Sequence, residues 1–268
     1  MADLSDHNFQ QELLAFGDDL VSQTRELIRN LWQNGTFLSQ LKEDNTPVSE
    51  IDLKCEELAR DRLQKKYPHH GIIGEEYGTE KGEAEFVWTI DPIDGTQNLV
   101  NQIPTFGTIL GLLYQGQPVL GWLDFPILGD RLRGGVNCGT YYNGKPVQLE
   151  DLTSDELSPT DLIATNCPAT FQRGDNVEDL WKILRFHPHS RIYYDVYAHN
   201  LAIRGAVAVM VEYNLKIWDL AATQALIKGA GGIYRELGRI EESGQPTRYH
   251  VAFGKSRAVE LVAAAISG

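Results

Sequence analysis

No run of eighteen apolar residues occurs anywhere in the sequence, which argues against a membrane-spanning helix. The start, Met1-Ala-Asp-Leu-Ser-Asp, is acidic and polar where a secretory leader is basic and then apolar, so no leader is expected. Cysteine is scarce. Cys55, Cys138 and Cys167 lie far apart with no paired spacing, which speaks against both a disulfide framework and a zinc site. Positive charge is short as well: 24 Lys and Arg stand against 37 Asp and Glu, for a net charge of −13. A nucleic-acid-binding face is normally basic, so that class of partner is not expected. Internal repeats and low-complexity segments are also lacking. These absences together point to a cytoplasmic protein with neither membrane nor nucleic acid as partner. A small phosphorylated substrate stays open, because bound cations invert the local field around acids.

What is there is an ordinary globular balance, 42% hydrophobic and 23% charged over 268 residues, which suits one large domain or two closely packed halves. Leu13, Phe16, Leu20, Leu27 and Leu31 follow helical spacing from Phe9 to Trp32, with Gly35 as a stop. Residues 42–47 are polar and turn-rich. Ser49-Glu-Ile-Asp52 has the pattern of a capping box opening a second helix, which ends before Tyr67-Pro68. Ile72-Ile73-Gly74-Glu75 sets an acid directly after a short apolar stretch, and Phe86 to Ile90 reads as a buried strand ended by Asp91-Pro92. Strands over 105–114, 119–124 and 130–134 follow, with turns at Gly116-Gln-Pro118 and Tyr142-Asn-Gly-Lys145.

The polar stretch 150–160 reads as a linker, dividing the chain into an N-terminal half, 1–150, and a C-terminal half, 151–268. The second half alternates: a strand at 162–165, a helix capped by Asp175 and reaching Phe186, and a strand at 192–194. A helix at 199–204 and a fully apolar strand at 207–211 come next. A helix over 218–227 with Asp219 near its cap, a strand near Val251 and a helix from Ser256 close the chain. Strands alternating with helices imply layered α/β structure.

Asp91 and Asp94 stand three residues apart where a strand turns toward a helix start at Thr96. Two hard oxygen donors followed by free backbone N–H groups suit a divalent cation beside a phosphate, and ligand sites in αβ layers gather at strand ends. An Asp-Pro turn followed by an Asp-Gly turn is the competing reading, and Asp52 likewise has a capping role open to it. The chain also carries Glu75 and Asp219 at element ends, and this wider set decides the matter.

Gly74-Glu-Glu76, Trp88-Thr-Ile-Asp-Pro-Ile-Asp-Gly-Thr-Gln-Asn98 and Trp218-Asp-Leu-Ala-Ala222, in that order and spacing, resemble the inositol monophosphatase family of magnesium-dependent, lithium-sensitive phosphatases. The resemblance covers nearly the whole chain. It implies an α/β (α+β) fold, the layered αβαβα sandwich of the sugar phosphatase type, and a homodimer. It implies two to three Mg²⁺ per subunit, with Mn²⁺ as a substitute. Glu75, Asp91 and the carbonyl of Ile93 match ligands of the first metal; Asp91, Asp94 and Asp219 match those of the second. Glu75 also matches a third, weaker site. Asp52 and Thr96 match the pair that orients and activates the attacking water, and the N–H groups of Gly95 and Thr96 match the phosphate cradle. Lys42 falls in the family's mobile loop, which is one residue shorter here than the family pattern. The implied reaction is phosphate monoester hydrolysis by metal-activated water, with no covalent protein nucleophile.

Asp195 and Glu212 match positions that touch the alcohol part of the substrate, and both are acids. Two anions beside the leaving group favour a cationic alcohol by roughly a kcal/mol per close pair. Phe106-Gly-Thr-Ile-Leu-Gly-Leu-Leu113, Asp124-Phe-Pro126 and Val211-Glu-Tyr-Asn-Leu215 resemble the histidinol-phosphatase branch. L-Histidinol phosphate is therefore the leading substrate. Gln97-Asn98 matches the inositol pattern instead and makes inositol 1-phosphate the alternative. A sugar bisphosphatase needs a basic pocket, for which Arg191 or Arg204 are the candidates, and a nucleotide 3′-phosphatase normally has a longer chain. A catalytically dead binding or scaffold protein is expected to lose at least one acid of the metal set, and none is missing. The apolar surface behind a dimer is expected on the β-rich first half.

Overall fold

A computed structural model of the chain describes residues 7–33, 39–41 and 47–268. Gly35, Lys42 and the shortened loop lie outside the described residues. The first helix, α1 (His7–Gln33), buries Leu13, Leu14, Leu20, Val21 and Ile28, an apolar stripe repeating every three or four residues. A short hairpin, β1 (Ser39–Leu41) with β2 (Pro47–Ser49), leads into α2 (Glu50–Lys66). The expected capping box opens α2: Ser49 caps it, and the Asp52 carboxylate accepts from the Ser49 N–H at 2.9 Å.

Next come β3 (Gly71–Gly74), β4 (Gly78–Glu80), β5 (Phe86–Asp94), the short α3 (Thr96–Val100), β6 (Gly107–Tyr114), β7 (Gln117–Phe125), β8 (Asp130–Gly135), β9 (Gly139–Tyr142) and β10 (Lys145–Val147). Their strands form one sheet in the order β10-β9-β8-β7-β6-β5-β3-β4, antiparallel throughout except for β3 beside β5. After the polar stretch come β11 (Ile163–Thr165), α4 (Pro168–Arg173), α5 (Val177–Phe186), β12 (Ser190–Ile192), α6 (Asp195–Ile203), β13 (Val209–Leu215), α7 (Ile217–Gly229), β14 (Ile233–Ile240), β15 (Arg248–Gly254) and α8 (Ser256–Ser267). The second sheet runs β12-β11-β13-β15-β14.

Helices α1 and α2 cover one face of the large sheet. On its other face lie α6 and α7, which also touch the second sheet, and α4, α5 and α8 pack beyond that. These are the five layers of an αβαβα sandwich. The middle layer carries a core common to both halves: Ile109, Leu123 and Phe125 from the first sheet meet Leu220, Leu226 and Phe253. Helix α7 lies so close to the large sheet that a Cβ on Gly121 would stand 2.5–2.9 Å from backbone atoms of Ala222. Gly121→Ala is therefore expected to force α7 off the sheet and destabilise the protein by about 1–3 kcal/mol, read from urea unfolding.

Several boundaries differ from the sequence reading, each for a local reason. Strand β5 does not stop at Asp91-Pro92. It continues to Asp94 because β6 still pairs with it, Asp94 opposite Gly107, across a register shift at the proline. Helix α5 follows Asn176, not an Asp175 cap; Asp175 sits at φ +56° outside it. Helix α6 begins at Asp195, four residues earlier than expected, and β13 begins at Val209. Helix α4 and strand β14 had no sequence counterpart; β14 is half-exposed along its length and lacks an apolar run. Exposed large apolar side chains occur in both halves: Leu53, Tyr77, Ile103 and Leu128 in the first, and Trp181, Leu184, Phe186, Ile192 and Tyr194 in the second. Among the described residues no helix is long and apolar enough to cross a membrane.

Candidate active site

A cavity of about 640 Å³ opens where the ends of β3 and β5 face the starts of α3, α6 and α7. Glu75, Asp91, Ile93, Asp94, Gly95, Thr96, Asp195 and Asp219 all line it, so residues separated by up to 144 positions share one space. Asp52 and Glu212 are not in the lining; both are buried directly behind it.

Each acid is placed by an identifiable local device. In a regular strand, residues three apart point to opposite faces. The bulge between Asp91 and Asp94 inserts the extra position that turns both toward the cavity. Pro92 has no N–H to give the ladder, and its carbonyl is instead held by the Thr108 hydroxyl at 2.8 Å. Gly95 follows at φ +88°, a left-handed conformation that favours glycine, and a Cβ there would crowd Asp195 Oδ2 at 3.1 Å. Glu75 sits on a turn held from below by Glu56 of α2. The Glu56 carboxylate accepts from the N–H groups of Glu76 (2.8 Å) and Tyr77 (3.1 Å), and Arg60 donates to it at 2.8 Å. Asp219 is the third residue of α7 and accepts from the Lys216 N–H at 2.7 Å, which leaves its other oxygen unused by the cap.

Asp52 and Thr96 are in contact. The Thr96 hydroxyl lies 3.2 Å from Asp52 Oδ1 and 3.0 Å from the Ile93 carbonyl, and its single proton serves one of them at a time. The other Asp52 oxygen is held by the Ser49 backbone and hydroxyl. Capping and contact with Thr96 are thus performed by one carboxylate, and the two readings of Asp52 are compatible. Asp195, first residue of α6 at φ +59°, receives a hydrogen bond from Asn98 Nδ2 at 3.2 Å.

The acids repel one another. Burial, reinforced by Glu75, Asp94 and Asp219, holds the Asp91 carboxyl well above the usual range. Burial and Asp195 do the same to Asp94. Asp219 is pushed up to about 7 by burial and Glu75, Asp195 to about 7 by burial and Glu212, and Asp52 to about 6 by burial against the opposing Ser49 hydrogen bonds. Asp94, Asp195 and Asp219 keep part of their surface open to the cavity. Oδ1 of Asp91 is buried with no hydrogen-bond partner. Among the described residues no three His, Cys, Asp or Glu side chains are drawn closely enough together to hold an ion as they stand; the acids surround the cavity without converging on a point.

The raised groups carry a stability prediction for cation-free protein. Their folded-state values lie above the unfolded aspartate value of 3.8, so between about pH 4 and 7 the folded state binds more protons and stability falls as pH rises. In chelator, the thermal midpoint is expected to be higher at about pH 5.5 than at about pH 8, with Mg²⁺ restoring the midpoint chiefly at the higher value. A chelated midpoint that climbs with pH over this window contradicts the repulsion.

Some lining residues were not singled out from sequence. Arg173, Lys216 and Arg248 close the cavity on its basic side. Arg191 and Arg204, the sequence candidates for a basic pocket, are absent from the lining. Arg204 lies over the Tyr142 ring at 3.9 Å, and Arg191 donates to the Ser190 carbonyl. The roles of Glu56 and Asn98 were also hidden, since a helix-face Glu and a polar residue after a motif carry no distinctive spacing.

The model of the inositol monophosphatase family matches residues 10–267. The chain belongs to that family. It is a metal-dependent phosphoric monoester hydrolase. The bifunctional phosphatase IMPL2 of Arabidopsis thaliana is 33% identical over 234 residues, 86% of this chain and 66% of that protein. A histidinol-phosphatase of Chlorobaculum parvum is 30% identical over 200 residues, 71% of this chain and 73% of that one. An inositol monophosphatase from Zymomonas mobilis superposes with a TM-score of 0.78 at 26% identity, covering 96% of this chain and 98% of that one. Relatives of similar identity are named fructose-1,6-bisphosphatase/inositol-1-monophosphatase or inositol-1-monophosphatase, so identity alone does not choose the substrate of this inositol monophosphatase family member.

Proposed function

We propose that this phosphatase hydrolyses L-histidinol phosphate to L-histidinol and phosphate. The observation that carries the choice is the acidic wall beside the metal-type acids: Asp195 in the lining, next to Asp94, and Glu212 behind it, close enough to raise the Asp195 carboxyl. An ammonium on the departing alcohol is stabilised there, and a neutral polyol less so.

Glu75, Asp91, the Ile93 carbonyl, Asp94 and Asp219 are the groups that would hold two to three Mg²⁺, with Mn²⁺ as a substitute. They fit in kind: all are hard oxygen donors, they border one cavity, and Asp91 Oδ1 is buried without a partner. Bound Mg²⁺ lowers the pKa of water and stabilises negative charge on a departing oxygen. The chain's own contribution is positional. The N–H groups of Gly95 and Thr96, at the first turn of α3, have no helical acceptor and are available to phosphate oxygens. Thr96 stands between Asp52 and the cavity, so a water bonded to its hydroxyl loses its proton toward Asp52. Burial holds the Asp52 carboxyl above the usual range in the cation-free protein, the direction that suits a proton acceptor. The homodimer and a cytoplasmic location are part of the same reading.

Two features support other alcohols. Gln97 lines the cavity beside the acids, which keeps inositol 1-phosphate as the alternative. Arg173 lines it without an ion pair among the described residues, which favours an ester carrying a second anionic group. A phosphate-release panel with histidinol phosphate, inositol 1-phosphate and fructose 1,6-bisphosphate separates them. Histidinol phosphate is expected to have the highest kcat/KM, with Asp195→Ala and Glu212→Ala each lowering it about tenfold or more and narrowing the gap to inositol 1-phosphate. A higher value for inositol 1-phosphate, or a ranking that neither substitution moves, rejects the proposal.

A further inference from the structure

Beneath Asp195 lies a buried hydrogen-bonded chain of which the roles above use only Glu212. His199 of α6 places Nε2 2.5 Å from Glu212 Oε2 on β13 and Nδ1 2.7 Å from Thr223 Oγ1 on α7. All three side chains are at most 1% exposed. Phe253 closes the remaining side, its ring edge-on to the imidazole with centroids 5.1 Å apart.

The polar groups match. A threonine hydroxyl can donate to Nδ1, leaving the Nε2–H for the Glu212 carboxylate, so one tautomer satisfies both contacts. The placement is also ordered. His199 follows Asp195 by one helical turn on α6, and Thr223 follows Asp219 by one helical turn on α7. One imidazole therefore joins the helix that begins at Asp195, the strand that carries Glu212 and the helix that carries Asp219. Filling this space needs only apolar side chains, and burying an imidazole, a carboxylate and a hydroxyl there has a desolvation cost that apolar packing avoids. The arrangement makes sense as a device that fixes position.

We infer that His199 is a positioning residue for the alcohol side of the substrate: it fixes the Glu212 carboxylate and, through Thr223, the spacing between the Asp195 wall and the Asp219 helix. Asn98 has the matching place on the other side, where it holds Asp195. The inference rests on the proposed reading that Asp195, with Glu212 buried behind it, forms the wall toward the leaving alcohol, and it does not depend on which alcohol that is.

The test compares kcat and KM of His199→Leu, His199→Gln and Thr223→Val with wild type, alongside thermal midpoints. The substrates are histidinol phosphate, inositol 1-phosphate and p-nitrophenyl phosphate, whose leaving group has no hydroxyl or amine for the acidic wall to grip. His199→Leu is expected to raise KM for the better of the first two esters about tenfold or more, with kcat/KM for the nitrophenyl ester within about twofold of wild type. His199→Gln, whose amide can still donate to Glu212, is expected to recover part of the loss. Parallel losses on all three esters that track a falling thermal midpoint overturn the inference, as does no change on any of them. If His199→Leu does not fold, Thr223→Val is expected to show the same split at smaller size, and its absence there overturns the inference equally. The histidinol reading is decided separately, by the wild-type ranking of the esters.

Discussion

Asp94→Asn protein is expected to release phosphate about 10³-fold more slowly than wild type at saturating Mg²⁺, equivalent to about 4 kcal/mol of lost transition-state stabilisation. The substitution keeps the volume and one carbonyl oxygen, and replaces the other, charged oxygen with an NH2 that donates and cannot ligate a cation. Asp94 is crowded by Asp195, Asp219, Glu212 and Glu75, all of which resist its ionisation. In chelator, the same substitution is therefore expected to raise the thermal midpoint, by about 2–4 °C for each kcal/mol of repulsion removed. A stabilising change that abolishes activity is the signature of a group retained for its charge. Phosphate release and calorimetry on one preparation check both halves, and an Asp94→Asn protein as active as wild type removes Asp94 from the metal set.

Asp52→Asn is expected to lower kcat by about 10²- to 10³-fold with KM little changed, because an amide cannot take up a proton from water. Thr96→Val is expected to fall in the same range. The double substitution should lose little more than either alone, since the 3.2 Å contact makes the two residues a single relay. Stability separates this role from the structural one. Asn at position 52 still offers one acceptor to the Ser49 N–H, so the cap at the start of α2 should weaken by only about 1 kcal/mol. A loss of activity fully explained by unfolding points to capping as the sole role of Asp52.

How much of this could be read beforehand depended on how local the cause was. The capping box at Ser49 and the order strand, turn, helix around residues 86–100 are written in short-range chemistry; the cap stands where the spacing placed it, and the strand starts where expected but runs three residues past Asp91. The bulge at Pro92 was not legible, because it is produced by β6 continuing to pair beyond the proline, which only the sheet determines. Asp195 at the start of α6 was hidden for a related reason: its left-handed backbone is unusual for an aspartate and is supported by Asn98, 97 positions away in sequence. Asp175 shows the opposite error. It is a good capping residue by type, yet the chain turns at it and the helix starts after Asn176.

The acids of the cavity were identifiable one by one, and what sequence could not give was their division into two shells. Glu75, Asp91, Asp94, Asp195 and Asp219 border the open space, whereas Asp52 and Glu212 stand behind it, each tied to a partner, Thr96 and His199. The histidines illustrate the limit most plainly. Seven are spread along the chain without ligand spacing, and nothing local distinguishes His199 from the others. Its role depends on a strand and two helices meeting at one buried point.

The most direct test is a crystal of the protein soaked in Mn²⁺, with anomalous scattering used to locate the ions. Peaks are expected in the cavity among Glu75, Asp91, Asp94 and Asp219, and absent from Asp94→Asn crystals treated alike. A soaked wild-type crystal whose protein releases phosphate with Mn²⁺ but shows its only peaks elsewhere would contradict the assignment.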